Sequence, residues 1–165
     1  MTITVEDGSL VENANSWVSR ETFIAYALAR GVTVADDAEA DAKLVKACDY
    51  INGLESNLKG ALVDRDQATA YPRSGLEIEG WYWSNTEIPR QVLNAQLSLA
   101  LELQAGEDIY NPTLATLPVV SKRVEGAVTV QYANPSQALK VNKEQPSQVH
   151  IKLLLKHSGL SVVRV

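Results

Sequence analysis

Residues 67–103 read QATAYPRSGLEIEGWYWSNTEIPRQVLNAQLSLALEL. A Tyr-Pro-Arg-Ser-Gly turn at 71–75 leads through an aromatic loop to an Ile-Pro start at 88–89 and then into a long apolar helix. Pro72, Gly75 and Gly80 punctuate turns, and Trp81, Tyr82 and Trp83 supply large amphipathic surface. Pro89 falls in the first helical turn, where its missing N–H would be unpaired in any case. In the helix expected over 88–105, Val92, Ala95, Gln96, Leu99 and Leu103 form one face, which Leu93, Leu97, Ala100 and Leu101 widen. A helix apolar over so much of its circumference belongs at the centre of a core or against a neighbour. The block builds and presents a surface, and nothing in it is arranged for catalysis.

Working outward, Thr2–Val5 alternates polar and apolar and predicts a short strand. Ser19 is placed to cap a helix through Arg30 that carries Phe23, Tyr26, Ala27 and Arg30 at helical spacing, with Gly31 after its end. Asp36 or Asp37 caps the next helix, whose stripe is Ala40, Leu44, Ala47 and Ile51; Asn52-Gly53 ends it. Leu58, Leu62 and Val63 anchor a short helical turn and loop, and 68–86 is expected to be mostly irregular and tied down by its aromatics. An ordered loop of that length is usually functional. Beyond a connection at 106–118, Val119–Val124 and Ala127–Tyr132 alternate about Glu125-Gly126 and predict a hairpin with Val120, Val124, Val128 and Val130 inward. Residues 133–147 read as a linker, Val149–His157 as a short helix with Ile151, Leu154 and Leu155 apolar, and 160–165 as a strand-like tail. The fold class expected is mainly α: a small helical bundle with a β-hairpin, a C-terminal helix and an extended tail. One core, 1–132, would be followed by 133–165 as linker, helix and docking tail.

At 165 residues the chain has the length of one domain and can bury about two thirds of its unfolded surface. No run approaches the roughly 18 apolar residues of a membrane span, and MTITVEDGSL lacks the basic-then-apolar pattern of a secretory signal. Cys48 is the sole cysteine, which excludes an internal disulfide and fits a reducing compartment; with Leu44 and Ile51 beside it on a helix, it reads as a core thiol. Charge is divided unevenly. Residues 1–60 hold 10 acidic and 5 basic side chains, 61–118 hold 8 and 3, and 119–165 hold 2 and 7. An acidic body thus carries a basic C-terminal segment, which either meets a partner or lies against its own body.

The chemistry-bearing residues are sparse. His150 and His157 stand seven apart with no third ligand near them, and the Asp36, Asp37, Glu39, Asp41 cluster lacks the alternating ligands, central glycine and closing glutamate of a calcium loop. No Gly-x-Ser-x-Gly elbow occurs, and GALVDRDQ lacks the second glycine and the lysine of a phosphate loop. No enzyme activity, metal or cofactor is expected. For single-stranded nucleic acid, Tyr71, Trp81, Tyr82 and Trp83 offer stacking faces near Arg65 and Arg73, but Glu77, Glu79 and Glu87 flank them and oppose phosphate contact.

One resemblance covers about residues 3–158. VEDGSLVENANSWVSRETFIAYALARG, DDAEADAKLVKACDYING, YPRSG, the EIP helix and VVSKRVEGAVTVQYA follow one another in the order and spacing of the adaptor (head–tail connector) proteins of long-tailed bacteriophages. Many of those sequences are labelled DnaT-like single-stranded-DNA-binding proteins. Tyr71 stands where these relatives usually have Trp, and the Trp-Tyr-Trp loop has no counterpart in that pattern. The resemblance implies a virion structural protein, assembled in the host cytoplasm, that forms a ring, commonly twelve-fold, beneath the portal. It would join the portal to the next neck or tail protein while double-stranded DNA passes through the lumen without sequence-specific binding. A neighbouring neck position, head-stopper or tail-completion, and a single-stranded-DNA-binding accessory protein are the alternatives.

On that reading Leu153, Leu154, Val162, Val163 and Val165 would dock into the portal. Tyr71, Arg73, Trp81 and Trp83 would make inter-subunit or loop contacts, and the hairpin valines would form a further interface. Arg73 has two readings, a salt bridge to a carboxylate of a neighbouring subunit or an internal bridge that pins its own turn.

Overall fold

The computed structural model describes residues 2–107, 109, 119–125, 127–132 and 145–156, with the backbone alone for 119–132. Its helices are α1 (Arg20–Leu28), α2 (Asp37–Asn52), α3 (Arg90–Gln104) and α4 (Pro146–Leu154). A single 3-10 turn spans Glu55–Asn57. Three antiparallel pairs join β1 (Ala61–Leu62) to β2 (Arg73–Ser74), β3 (Glu77–Ile78) to β4 (Trp81–Tyr82), and β5 (Val119–Glu125) to β6 (Ala127–Tyr132).

The helix starts follow from their caps. Ser19 accepts a hydrogen bond from the Thr22 N–H at α1, and Asp36 accepts from the Ala38 and Glu39 N–H groups at α2. The α2 stripe of Ala40, Leu44, Ala47 and Ile51 is wholly buried, as is Cys48. α3 lies at the centre, packed against α1, α2 and α4. It begins one residue after Pro89, whose backbone is extended, so the proline ends the preceding loop and is not inside the first turn.

Polar groups tie loops to this core. Gln96, fully buried on α3, donates from Nε2 to Ser16 Oγ at 2.8 Å and the Leu44 carbonyl at 2.9 Å, and its Oε1 accepts from the Trp17 N–H at 2.9 Å. The buried Glu6 carboxylate accepts from the N–H groups of Gly8, Leu10 and Val11, which fixes the 6–11 turn. Arg20 holds the buried Asp41 carboxylate with both arms of its guanidinium, joining α1 to α2.

Several expectations are corrected. The chain is a mixed α/β domain, because short strand pairs form at 61–82, where a helical turn and loop and then, from 68, mostly irregular chain were expected. Thr2–Val5 makes a single bridge, Val5 to Ser16, since the Asn15 side chain and backbone take the bonds of Thr2 and Thr4 that a second strand would have taken. α4 starts at Pro146, inside the expected linker, and stops at Leu154. It is docked on α3: the Glu102 carboxylate of α3 accepts from the Ser147 N–H at 2.9 Å and the Ser147 hydroxyl at 2.8 Å, which supplies from outside the cap that Gln145 does not give.

Candidate functional site

The β3–β4 hairpin is built by its turn. Glu79 and Gly80 both have positive φ, 53° and 81°. That is the pairing of a type I′ turn, the tight connection whose twist matches two antiparallel strands. Glu77 stands opposite Tyr82 and Ile78 opposite Trp81. Ile78 is buried, Trp83 packs half-buried on the core, and the Trp83 N–H donates to the Leu76 carbonyl at 3.0 Å. The hairpin is therefore anchored on one side. Trp81, across from Ile78, is 77% exposed, and Tyr82, across from Glu77, is 80% exposed; as neighbours along one strand they belong to opposite faces of the hairpin. Burial of large aromatics is strongly favourable in water, and this hairpin leaves two of them open to solvent.

Beneath the hairpin the Tyr71-Pro72-Arg73 loop is sunk into the protein. The Tyr71–Pro72 peptide is cis. The Tyr71 ring meets Trp17 edge-on at 6.2 Å, and the Trp17 indole N–H donates to the Tyr71 carbonyl at 3.3 Å. Burial pushes the Tyr71 phenol above its ordinary range. Arg73 is 3% exposed and donates to three carbonyls, Lys59 at 2.7 Å, Ala70 at 3.2 Å and Gly60 at 3.2 Å. Of the two roles expected for Tyr71 and Arg73, inter-subunit or loop contacts, the contacts they make within this chain are loop contacts. Arg73 pins its own turn through carbonyl groups, and among the described residues it forms no ion pair with a carboxylate. Burial lowers its pKa from the ordinary value, offset in part by Tyr71 and Glu55.

Beside the hairpin lies an open cleft of about 380 Å³ lined by Lys59, Gly60, Gly75, Glu77 and Lys156. The two lysines are far apart in sequence and are brought together by an antiparallel bridge between Leu58 and Leu155. The Lys59 N–H donates to the Leu154 carbonyl at 2.9 Å and the Lys156 N–H to the Asn57 carbonyl at 2.8 Å. Gly60, at φ +73°, is required here: a Cβ would stand 2.8 Å from the Ser74 carbonyl oxygen. Two of the lining residues, Lys59 and Gly60, are the ones whose carbonyls Arg73 holds.

The remaining expected residues divide. Leu154 is fully buried and Leu153 partly buried within their own chain, so Leu154 is withdrawn as a docking residue: α4 spends it on the core. Val162, Val163 and Val165 lie outside the described residues, as does His157. In the β5–β6 ribbon Val124 pairs with Val128 and Val130 with Lys122, while the register shifts between Val119 and Ser121, at Val120. Burial pushes the Cys48 thiol up to about 12, with Asp49 adding to the shift, which leaves it protonated at neutral pH. Among the described residues no group of three or more His, Cys, Asp or Glu is placed to hold a metal ion, and no helix is long and apolar enough to cross a membrane. The lysine cleft is what sequence reasoning missed. Neither lysine belongs to a motif, and only the fold places them together.

A protein-family profile described as "Putative DnaT-like ssDNA binding protein" matches residues 1–163. The chain belongs to this family. No curated protein and no solved structure matches it. The DnaT-like family's description specifies a ligand class, single-stranded DNA, and the two surfaces against which such a ligand can be weighed are the aromatic hairpin and the lysine cleft.

Proposed function

We propose that the protein is a structural adaptor of a bacteriophage virion, without a catalytic step of its own. It forms a ring beneath the portal and joins it to the next neck or tail protein. The observation that carries this reading is the exposed Trp81–Tyr82 pair on an anchored hairpin that also bears Glu77 and Glu79, with Glu87 close in sequence. Aromatics among carboxylates suit a protein partner better than a polyphosphate one. The division of charge gives further support: an acidic 1–118 and a basic 119–165 offer complementary faces for head-to-tail contacts, and such contacts make rings when they close. Light scattering on purified protein with and without portal rings tests it. Co-elution should occur, should weaken in the Trp81→Ala/Tyr82→Ala variant, and should be lost when residues 158–165 are removed from a chain that still folds. Joining that survives both changes removes the assignment of these contacts.

A second reading, the binding of single-stranded DNA, is favoured by the family description and by the cationic cleft next to Tyr82. Affinity for an oligonucleotide that falls steeply with added salt supports it; no affinity at low salt excludes it.

A further inference from the structure

We infer that the Lys59–Lys156 cleft is a phosphate-backbone site for single-stranded nucleic acid, with Tyr82 as the platform on which an adjacent base stacks. This rests on the second reading above and does not require the first.

The protein carries a formal net charge of −5, yet three cations converge on Gly60. Arg73 is buried and bonded to the carbonyls of Lys59 and Gly60. Lys59 and Lys156 line the cleft. Among the described residues neither lysine forms an ion pair with a carboxylate, and Lys156 Nζ donates to the Ser56 carbonyl at 3.1 Å. Carbonyls satisfy a guanidinium's hydrogen bonds without neutralising its charge, so the field of Arg73 still reaches the cleft. Glu77 is the one carboxylate in the lining. A mobile anion is the group this arrangement lacks.

Its class follows from what stands at the rim. Glu77 pairs across β3–β4 with Tyr82, whose ring is open to solvent on the face that the two share. Binders of single strands combine a cationic track for the backbone with aromatic faces for the bases. An inorganic phosphate would use the lysines and ignore the aromatics; a single strand would use both. Two lysines provide modest affinity, so the site suits a strand held transiently.

Fluorescence anisotropy of the full-length protein with labelled dT15, across a series of salt concentrations, decides the matter. Lys59→Gln and Lys156→Gln, both surface changes whose folding is checked by thermal melting, should each weaken binding. Each should also reduce the slope of log affinity against log salt by about 0.7. Tyr82→Ala should weaken binding about tenfold with the salt slope unchanged, and Tyr82→Phe should restore it. Glu77→Gln should strengthen it. Inorganic phosphate in millimolar excess should compete with dT15 without depending on Tyr82. Wild-type protein that binds dT15 while the lysine variants keep its affinity and slope overturns this site and leaves the family reading standing. Wild-type protein that does not bind dT15 at low salt overturns both.

Discussion

Gln96 shows why single polar residues matter in this fold. Its amide satisfies three groups, two from the loop before α1 and one from α2, all out of contact with water. A buried donor or acceptor that loses its partner costs its desolvation penalty in full. Gln96→Leu should therefore destabilise the protein by about 3 kcal/mol in a urea titration, even though it makes α3 more apolar; an unchanged midpoint would mean that the amide is dispensable. Asp41 gives a pH signature. The Arg20 guanidinium, chiefly through its hydrogen bonds, holds the Asp41 carboxyl below its ordinary value of 3.8. A carboxylate depressed in the folded state contributes its stability fully above the unfolded value and loses it as pH falls through the folded one. Melting temperatures measured downward from pH 5 should fall more steeply in the wild type than in Asp41→Asn, with the difference appearing below about pH 4. Arg73 marks the limit of reading residues from sequence. Its loop was legible in Tyr-Pro-Arg-Ser-Gly, but its partners are main-chain carbonyls at 59, 60 and 70, and a carbonyl leaves no trace in the sequence.

At the scale of elements, legibility follows the range of the forces involved. α2 and α3 could be read because their apolar periodicity and their caps are local, and the buried stripe from Ala40 to Ile51 is the stripe the spacing predicts. The β3–β4 hairpin was missed because strands of two residues carry no period, although Glu79-Gly80 held the turn signal. α4 was displaced by three residues for a similar reason. Its N-terminus is capped by Glu102 from another helix, a contact that becomes visible only once α3 and α4 are packed. Glu102→Ala should cost about 1–2 kcal/mol and raise amide exchange selectively in 146–156, as measured by hydrogen–deuterium exchange. Uniform protection across α4 in the variant would show that side-chain packing alone holds it.

For the molecule as a whole, the acidic body and the basic C-terminal segment were evident from composition. What composition hides is the meeting at Gly60, where Lys156 of the basic segment joins Lys59 of the acidic body and a cationic cleft opens near the exposed Tyr82. The fold thus presents two surfaces of different character, an aromatic hairpin among carboxylates and a lysine cleft at its side. The adaptor reading assigns the first to assembly, and the nucleic-acid reading links the second to the hairpin's edge. They predict different behaviour on adding salt. Protein–protein contact centred on Trp81 and Tyr82 should survive moderate ionic strength, whereas a phosphate contact made by two lysines should decline steeply.

The measurement that bears most directly on the central proposal is size-exclusion chromatography with light scattering, run on the protein alone and with portal rings at low and moderate salt. A complex of ring-like mass should form with the portal, be retained at moderate salt and be weakened by the Trp81→Ala/Tyr82→Ala change. A protein that stays monomeric, ignores the portal at both salt concentrations and binds single-stranded DNA instead would contradict it.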